Sequence, residues 1–243
     1  MITLPSLALL TGPRKRTGTR WHYEVNATET GRRDDPEGLG EDISIARLVE
    51  AGPATGPPLV VGNPAGDLEA AEAEANAVAR ILGVRPLLGD AATCERVRRA
   101  LPEARVVHLA AHAAVEQDDP LASKIRLADG DLTIGQLLGA YIRTGLVVLS
   151  VCEGSRGELI AGGEALGLAQ VLLRSGVDAV VAGLWRVEDA ATAFLMVALH
   201  EALARGAAVD VALAEAIGRI RADRKWQNPY YWAGFVALTG ALT

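Results

Sequence analysis

The chain has 243 residues, half of them hydrophobic, with 24 basic against 30 acidic side chains and a formal charge of −6. That length supports one sizeable core, alone or with a small extension, and nothing in the acidic balance favours nucleic acid, whose protein partners usually carry a basic face. Two cysteines, Cys94 and Cys152, are too few for a disulfide framework or a four-thiolate zinc site, and no apolar run reaches the roughly 18 residues of a membrane span.

The apolar stretch Ile2 to Leu10 is followed, not preceded, by the basic Arg14-Lys15-Arg16. A secretion signal has the opposite order, so a cytoplasmic protein is expected. Arginine far outnumbers lysine, and alanine and glycine abound, the composition of a GC-rich bacterial genome. Thr11 to Gly40 reads as loops with one short strand at Arg20 to Val25, and Gly52 to Pro58 as a Pro/Gly-rich joint.

Order begins at Leu59-Val60-Val61, a short strand ending in the turn Gly62-Asn63-Pro64. Asp67 to Leu82 has apolar residues at three- and four-residue steps, which predicts a helix, and Gly83 stops it. Val84 to Leu88 predicts a strand, and Asp90 an N-cap for a helix through Leu101. A strand follows at Arg105 to Ala111, then a hairpin around Asp129-Gly130 and a short helix from Thr133 to about Ala140. The unbroken apolar run Leu146 to Ser150 predicts a central strand buried on both faces. After it come a helix at Gly162 to Ser175 and a buried strand at Asp178 to Trp185. Helices at Glu188 to Ala204 and Val209 to Ala222, and a strand at Tyr230 to Thr239, complete the chain. Strands alternating with helices imply an α/β fold, a mostly parallel central sheet with helices on both faces.

In such sheets, sites form beyond the C-terminal ends of the strands. His112 stands at one such end and Cys152 at another. If the strands are neighbours, the two share a crevice, and an imidazole beside a thiol is what makes a thiolate near neutral pH. Glycines follow the cysteine, at Gly154, Gly157, Gly162 and Gly163, and let backbone N–H groups approach a substrate oxygen. The same loop lacks the Gly-Lys-Ser/Thr ending of a phosphate-binding loop. His108 shares strand parity with His112, but no third ligand at a metal-binding spacing accompanies them. His108 is therefore expected to lie buried in the sheet with one hydrogen bond, and no metal or cofactor is expected. His200, beside Glu201, is expected on a solvated helix face. Glu188 and Asp189 follow another strand end, where each serves as a helix N-cap or lines a pocket for a cationic side chain. A rival arrangement exists: Ser150-Val151-Cys152-Glu153-Gly154 imitates a nucleophile elbow with Cys in place of Ser. That would make an α/β-hydrolase esterase, with His200 as its histidine.

Several ordered motifs resemble the CHAT domain, a caspase-like peptidase family distantly related to separase and often attached to tetratricopeptide repeats. They are Val107 to His112, Pro120-Leu121, Ile125 to Leu132, Val148 to Glu153, Gly163 to Leu168, Val180 to Asp189 and Pro229 to Phe235. Leu4 to Leu7 and Leu59 to Glu74 also fit. The resemblance implies a caspase-like fold, with residues 1–57 as an N-terminal extension and 58–243 as the peptidase domain. It implies a cysteine endopeptidase with His112 as general base and Cys152 as nucleophile, and an oxyanion hole from the backbone N–H groups of Ala113 and Cys152. Asp189 and Glu153 are expected to contact substrate, which points to cleavage after Arg or Lys. Protein or peptide substrates and a regulatory or repeat-containing partner follow, with no nucleic acid or membrane. Two departures stand out. The family's glycine after the histidine is Ala113, and its Cys-Glu-Thr-Gly is Cys152-Glu153-Gly154-Ser155. They motivate a second reading, a pseudo-peptidase acting as an interaction or sensing module.

Overall fold

The computed structural model describes residues 14–17, 20–23, 54–114, 116, 119, 121–138, 142–150, 152–153 and 163–239. For 14–17, 20–23, 152–153 and 163–166 the description is of the backbone. The loop glycines 154, 157 and 162, the motif residue Pro120 and the expected helix end at Ala140 lie outside the described residues, as do the apolar N-terminal stretch and the family motif within it. Contacts divide the chain into two units, 1–51 and 52–243. In the first, β1 (Arg14–Thr17) pairs antiparallel with β2 (Arg20–Tyr23).

The second unit is built on a six-stranded sheet. Its strands are β3 (Leu59–Gly62), β4 (Leu87–Leu88), β5 (Val106–Ala110), β9 (Leu146–Leu149), β11 (Ala179–Gly183) and β12 (Phe235–Thr239), in the order β12-β11-β9-β5-β3-β4. All pairs are parallel except β11 with β12. The central strands are apolar on both faces because both faces are covered. Val61, Val107, Leu109, Val147, Leu149 and Val180 pack on one side. There they meet α2 (Cys94–Ala100), α3 (Ile134–Leu138) and α4 (Gly163–Arg174), through Val97, Leu137 and Leu172. Residues of the other parity, Val60, Val148 and Val181, meet α1 (Glu69–Leu82), α5 (Asp189–Ala204) and α6 (Val209–Ala222). The result is helix, sheet, helix, the expected α/β architecture.

A second sheet grows from the first. β6 (His112–Ala114) follows β5 after the single residue Ala111, and β10 (Cys152–Glu153) follows β9. These pair parallel, and β6 continues antiparallel to β7 (Lys124–Leu127) and then β8 (Gly130–Thr133). The hairpin turn falls at Asp129-Gly130, with Gly130 at φ 151°, as the sequence indicates. Gly83 ends α1 in the left-handed region at φ 70°, again as expected.

Three local expectations need correction. Asp90 does not cap α2. Gly89–Ala91 forms a 3-10 turn, and Thr93 caps the helix by accepting from the Arg96 N–H. Both residue types make good caps, and Thr93 stands directly before the first helical residue. The strand expected at Val84 to Leu88 is confined to Leu87–Leu88. The last strand starts at Phe235 rather than Tyr230, because Asn228 accepts from the Tyr230 N–H and turns Pro229–Tyr231 into a 3-10 helix.

Gly62 belongs to β3 and serves packing rather than the turn. A Cβ there would lie 2.3 Å from the Ala75 Cβ and 3.0 Å from the Ala71 carbonyl oxygen, both on α1. The missing side chain lets α1 sit close on the sheet. Gly62→Ala is expected to lower stability by about 1–3 kcal/mol through overpacking, measured by urea unfolding at pH 7.5; unchanged stability would show that α1 yields freely.

Candidate active site

The parallel pair β5 and β9 has a fixed offset. Leu109 lies opposite Leu149, and beyond the bend His112 lies opposite Cys152, each pair forty residues apart. Ser150 donates its N–H to the Leu109 carbonyl at 2.9 Å, so the ladder runs from the core to the bend. The Cα positions of His112 and Cys152 are thus direct cross-strand partners, at the spacing of adjacent strands, about 4.8 Å. Ala113 is in register with Glu153 on β10 and with Ile125 on β7.

The imidazole of His112 is mostly buried, its side chain 23% exposed. Its Nε2 lies 3.0 and 3.1 Å from the two carboxylate oxygens of Asp67. Its Nδ1 is buried with no hydrogen-bond partner among the described residues. Asp67 was not singled out from the sequence. It sits just before α1, on a loop tied down at several points. Asn63, buried and at φ 46°, donates its backbone N–H to the Ala110 carbonyl at 3.0 Å. Its Oδ1 accepts from the Leu68 N–H at 2.7 Å, and its Nδ2 donates to Glu72 Oε2 at 3.2 Å. An asparagine tolerates the left-handed backbone this turn needs, so the loop holds Asp67 over the end of β5.

Beside His112 lies a cleft of about 20 Å³ of water-accessible volume, lined by Leu68, Glu74, Ala111, Ser150, Asp189 and Thr192 among others. Ala111 precedes His112, and Ser150 stands two residues before Cys152. Asp189 is the exposed first residue of α5. Glu188 is the backbone N-cap but makes no side-chain cap bond; it faces Lys225 Nζ at 3.4 Å.

Deeper in the same layer, three titratable side chains meet. His108 and His200 are fully buried and Glu74 nearly so. His200 Nε2 is 3.2 Å from His108 Nδ1, and His108 Nε2 is 3.0 Å from Glu74 Oε1, close enough for attraction but off the line of a good hydrogen bond. The proton assignment that leaves fewest buried atoms unpaired has His200 Nε2–H donating to His108, and His108 presenting Nε2–H to Glu74. His108 is buried in the sheet as expected. The solvated position expected for His200 is overturned: α5 is apolar nearly all round, so its histidine faces β5 instead of water. Buried and engaged by His108, it no longer supplies the histidine of the esterase reading.

Cys94 is chemically quiet. Burial, then a hydrogen bond with Asp129, pushes its thiol up to about 11, which keeps it protonated at neutral pH. No group of three His, Cys, Asp or Glu among the described residues is arranged to hold a metal ion. No helix among them is long and apolar enough to cross a membrane.

Fold and site together define a caspase-like α/β architecture. Residues 3–241 match the model of the CHAT domain, and the chain belongs to that family. Tetratricopeptide repeat protein 28 of Mus musculus and its namesake of Homo sapiens are each 28% identical over 228 residues, covering 74% of this chain and 9% of theirs. The chain thus spans under a tenth of these curated relatives. Among solved structures, the Arg-specific cysteine proteinase gingipain R aligns with a TM-score of 0.50 at 11% identity, over 75% of this chain and 45% of that one. That likeness is one of fold.

Burial, and then the electrostatic influence of the adjacent His108, hold the His200 imidazole well below its ordinary value of 6.5. Below pH 6.5 the unfolded chain binds this proton and the folded chain does not. Stability is therefore complete above about pH 7 and declines as the pH falls, by up to about 1.4 kcal/mol per pH unit for one proton. Urea unfolding between pH 7.5 and 5 should show that slope, and His200→Gln, which keeps a donor for His108, should flatten it. An identical slope in the variant would remove His200 as its source.

Proposed function

We propose that this domain is a cysteine endopeptidase that cleaves after Arg or Lys, with Cys152 as nucleophile and His112 as general base. The observation that carries the reading is the cross-strand register of His112 with Cys152. In a parallel ladder, residues in register lie on the same face. The Cys152 sulfur gives its proton to the imidazole and attacks the scissile carbonyl. The tetrahedral oxyanion is held by backbone N–H groups at Ala113 and Cys152. It collapses to a thioester as the amine leaves with the proton held by His112. Water, deprotonated by the same imidazole, hydrolyses the thioester and restores the thiol.

Specificity for a basic side chain is supported by the cleft, whose lining includes the acidic residues Asp189 and Glu74 and no basic residue. At about 20 Å³ it holds roughly one water. Glu153, next to the nucleophile, completes the substrate contacts in this reading. The substrate is a protein or peptide and the setting a regulated, cytoplasmic, bacterial one. The repeat-containing curated relatives support a protein partner of the tetratricopeptide kind.

The second reading, a pseudo-peptidase that docks partners, is favoured by one feature. Ala113 stands where the family has glycine, which restricts the backbone of an oxyanion donor.

Cleavage profiling with a peptide library distinguishes them. Wild type is expected to cut after Arg or Lys, and Cys152→Ala and His112→Ala to be inert while folded. Asp189→Ala should lose about 10–100-fold in kcat/KM on Arg substrates, the scale of a charge-assisted contact. A wild-type chain that neither cleaves nor becomes labelled at Cys152 by an Arg-directed electrophilic peptide, with a repeat-containing partner supplied, supports the scaffold.

A further inference from the structure

We propose that Asp67 is a positioning residue for His112: it engages Nε2 and thereby leaves Nδ1 as the nitrogen that receives the proton from Cys152. The inference rests on the peptidase reading for its chemistry, but its geometry stands apart from it. Both Asp67 oxygens lie within 3.1 Å of Nε2. A carboxylate has no proton to give near neutral pH, so Nε2 must be the donor. A neutral imidazole carries one ring proton, and with that proton on Nε2, Nδ1 holds the lone pair. Nδ1 is also the ring nitrogen that is buried and without a partner among the described residues. The two nitrogens thus divide their tasks.

Asp67 is held in place by the chain around it. The Asn63 N–H is bonded to Ala110, two residues before His112, and the Asn63 side chain clasps Leu68, the residue after Asp67. Aspartate and imidazole are therefore carried by adjacent strands, β3 and β5, through short and hydrogen-bonded links. When the thiol proton moves to Nδ1, the imidazolium faces the carboxylate and its charge is partly neutralised. Asp67 is 61% exposed, so solvent screens this attraction and the effect is smaller than that of the buried aspartate of a serine protease, whose loss costs about 10⁴-fold.

The test is made on the full chain with two readouts. In ring-nitrogen NMR near neutral pH, assigned with His112→Gln, wild type should show His112 protonated at Nε2 with a slowly exchanging proton, and Nδ1 bare. Asp67→Ala should lose that protected resonance, while Asp67→Asn, which keeps an acceptor oxygen, should retain part of it. The second readout is alkylation of Cys152 by iodoacetamide at pH 7, followed by peptide mapping. It should slow about 10-fold or more in Asp67→Ala, in the range for residues that orient a reacting group through another, and recover partly in Asp67→Asn. With an active preparation, kcat should fall and KM hold. An unchanged ring spectrum or an unchanged alkylation rate in Asp67→Ala overturns the proposal. Changed spectra and slowed alkylation in a chain that cleaves nothing would uphold Asp67 and reject the peptidase reading.

Discussion

The site depends on a register that is kept across a bend. β5 and β9 run together through the centre of the sheet and continue as β6 and β10, with the same forty-residue offset on both sides of the bend. In a strand that is apolar on both faces, hydrophobic pattern alone sets register weakly. Here His108 supplies what pattern does not. It lies opposite Val60 and Val148, on the face covered by α1 and α5, where Glu74 and His200 wait for it. A slip of β5 by one residue would turn its imidazole into the opposite cluster, among Val97, Leu137 and Leu172, with no polar partner. Burying an unpaired imidazole there costs several kcal/mol. The buried histidine thus helps fix the placement of the one, four residues on, for which catalysis is proposed.

The loop before α1 is the second determinant. Gly62 lets the helix lie close to β3, Asn63 adopts the turn and ties it to Ala110, and Asp67 is left above the end of β5. One short segment settles helix seating, loop conformation and the contact with His112. Its residues cannot be weighed separately, because a change in seating moves the carboxylate as well.

Much of this was legible in the sequence. The buried strand from Leu146, the hairpin at Asp129-Gly130, the stop at Gly83 and the helix Val209–Ala222 each carry a local signal, whether an apolar run, a turn dipeptide or a period. The mostly parallel α/β sheet followed from the alternation of elements, its caspase-like kind was implied by the resemblance of the family motifs, and the placement of His112 and Cys152 at strand ends suggested that they meet. What escaped was non-local. Asp67 meets His112 across 45 residues, and nothing within either segment encodes the approach. His200 escaped for a different reason. α5 buries Ala191, Thr192, Leu195, Met196, Ala198, Leu199 and Ala202 as well as the histidine, so it has no polar face from which a histidine's exposure could be judged.

The two cysteines show why topology, more than residue type, decides chemistry in this fold. Cys94 opens α2, a short helix whose N-terminus should favour a thiolate. The β7–β8 turn brings Asp129 to that end instead, where its Oδ1 accepts the Cys94 N–H at 2.7 Å. The carboxylate takes the place an anionic sulfur would occupy, and the thiol keeps its proton. Cys152 has the reverse arrangement. The neighbouring strand brings a histidine into register with it, and the Nε2 of that histidine is engaged by a carboxylate. Burial and a neighbouring acid keep the Cys94 thiol protonated, whereas at Cys152 the cross-strand neighbour is a histidine whose own acid partner comes from a third segment of the chain.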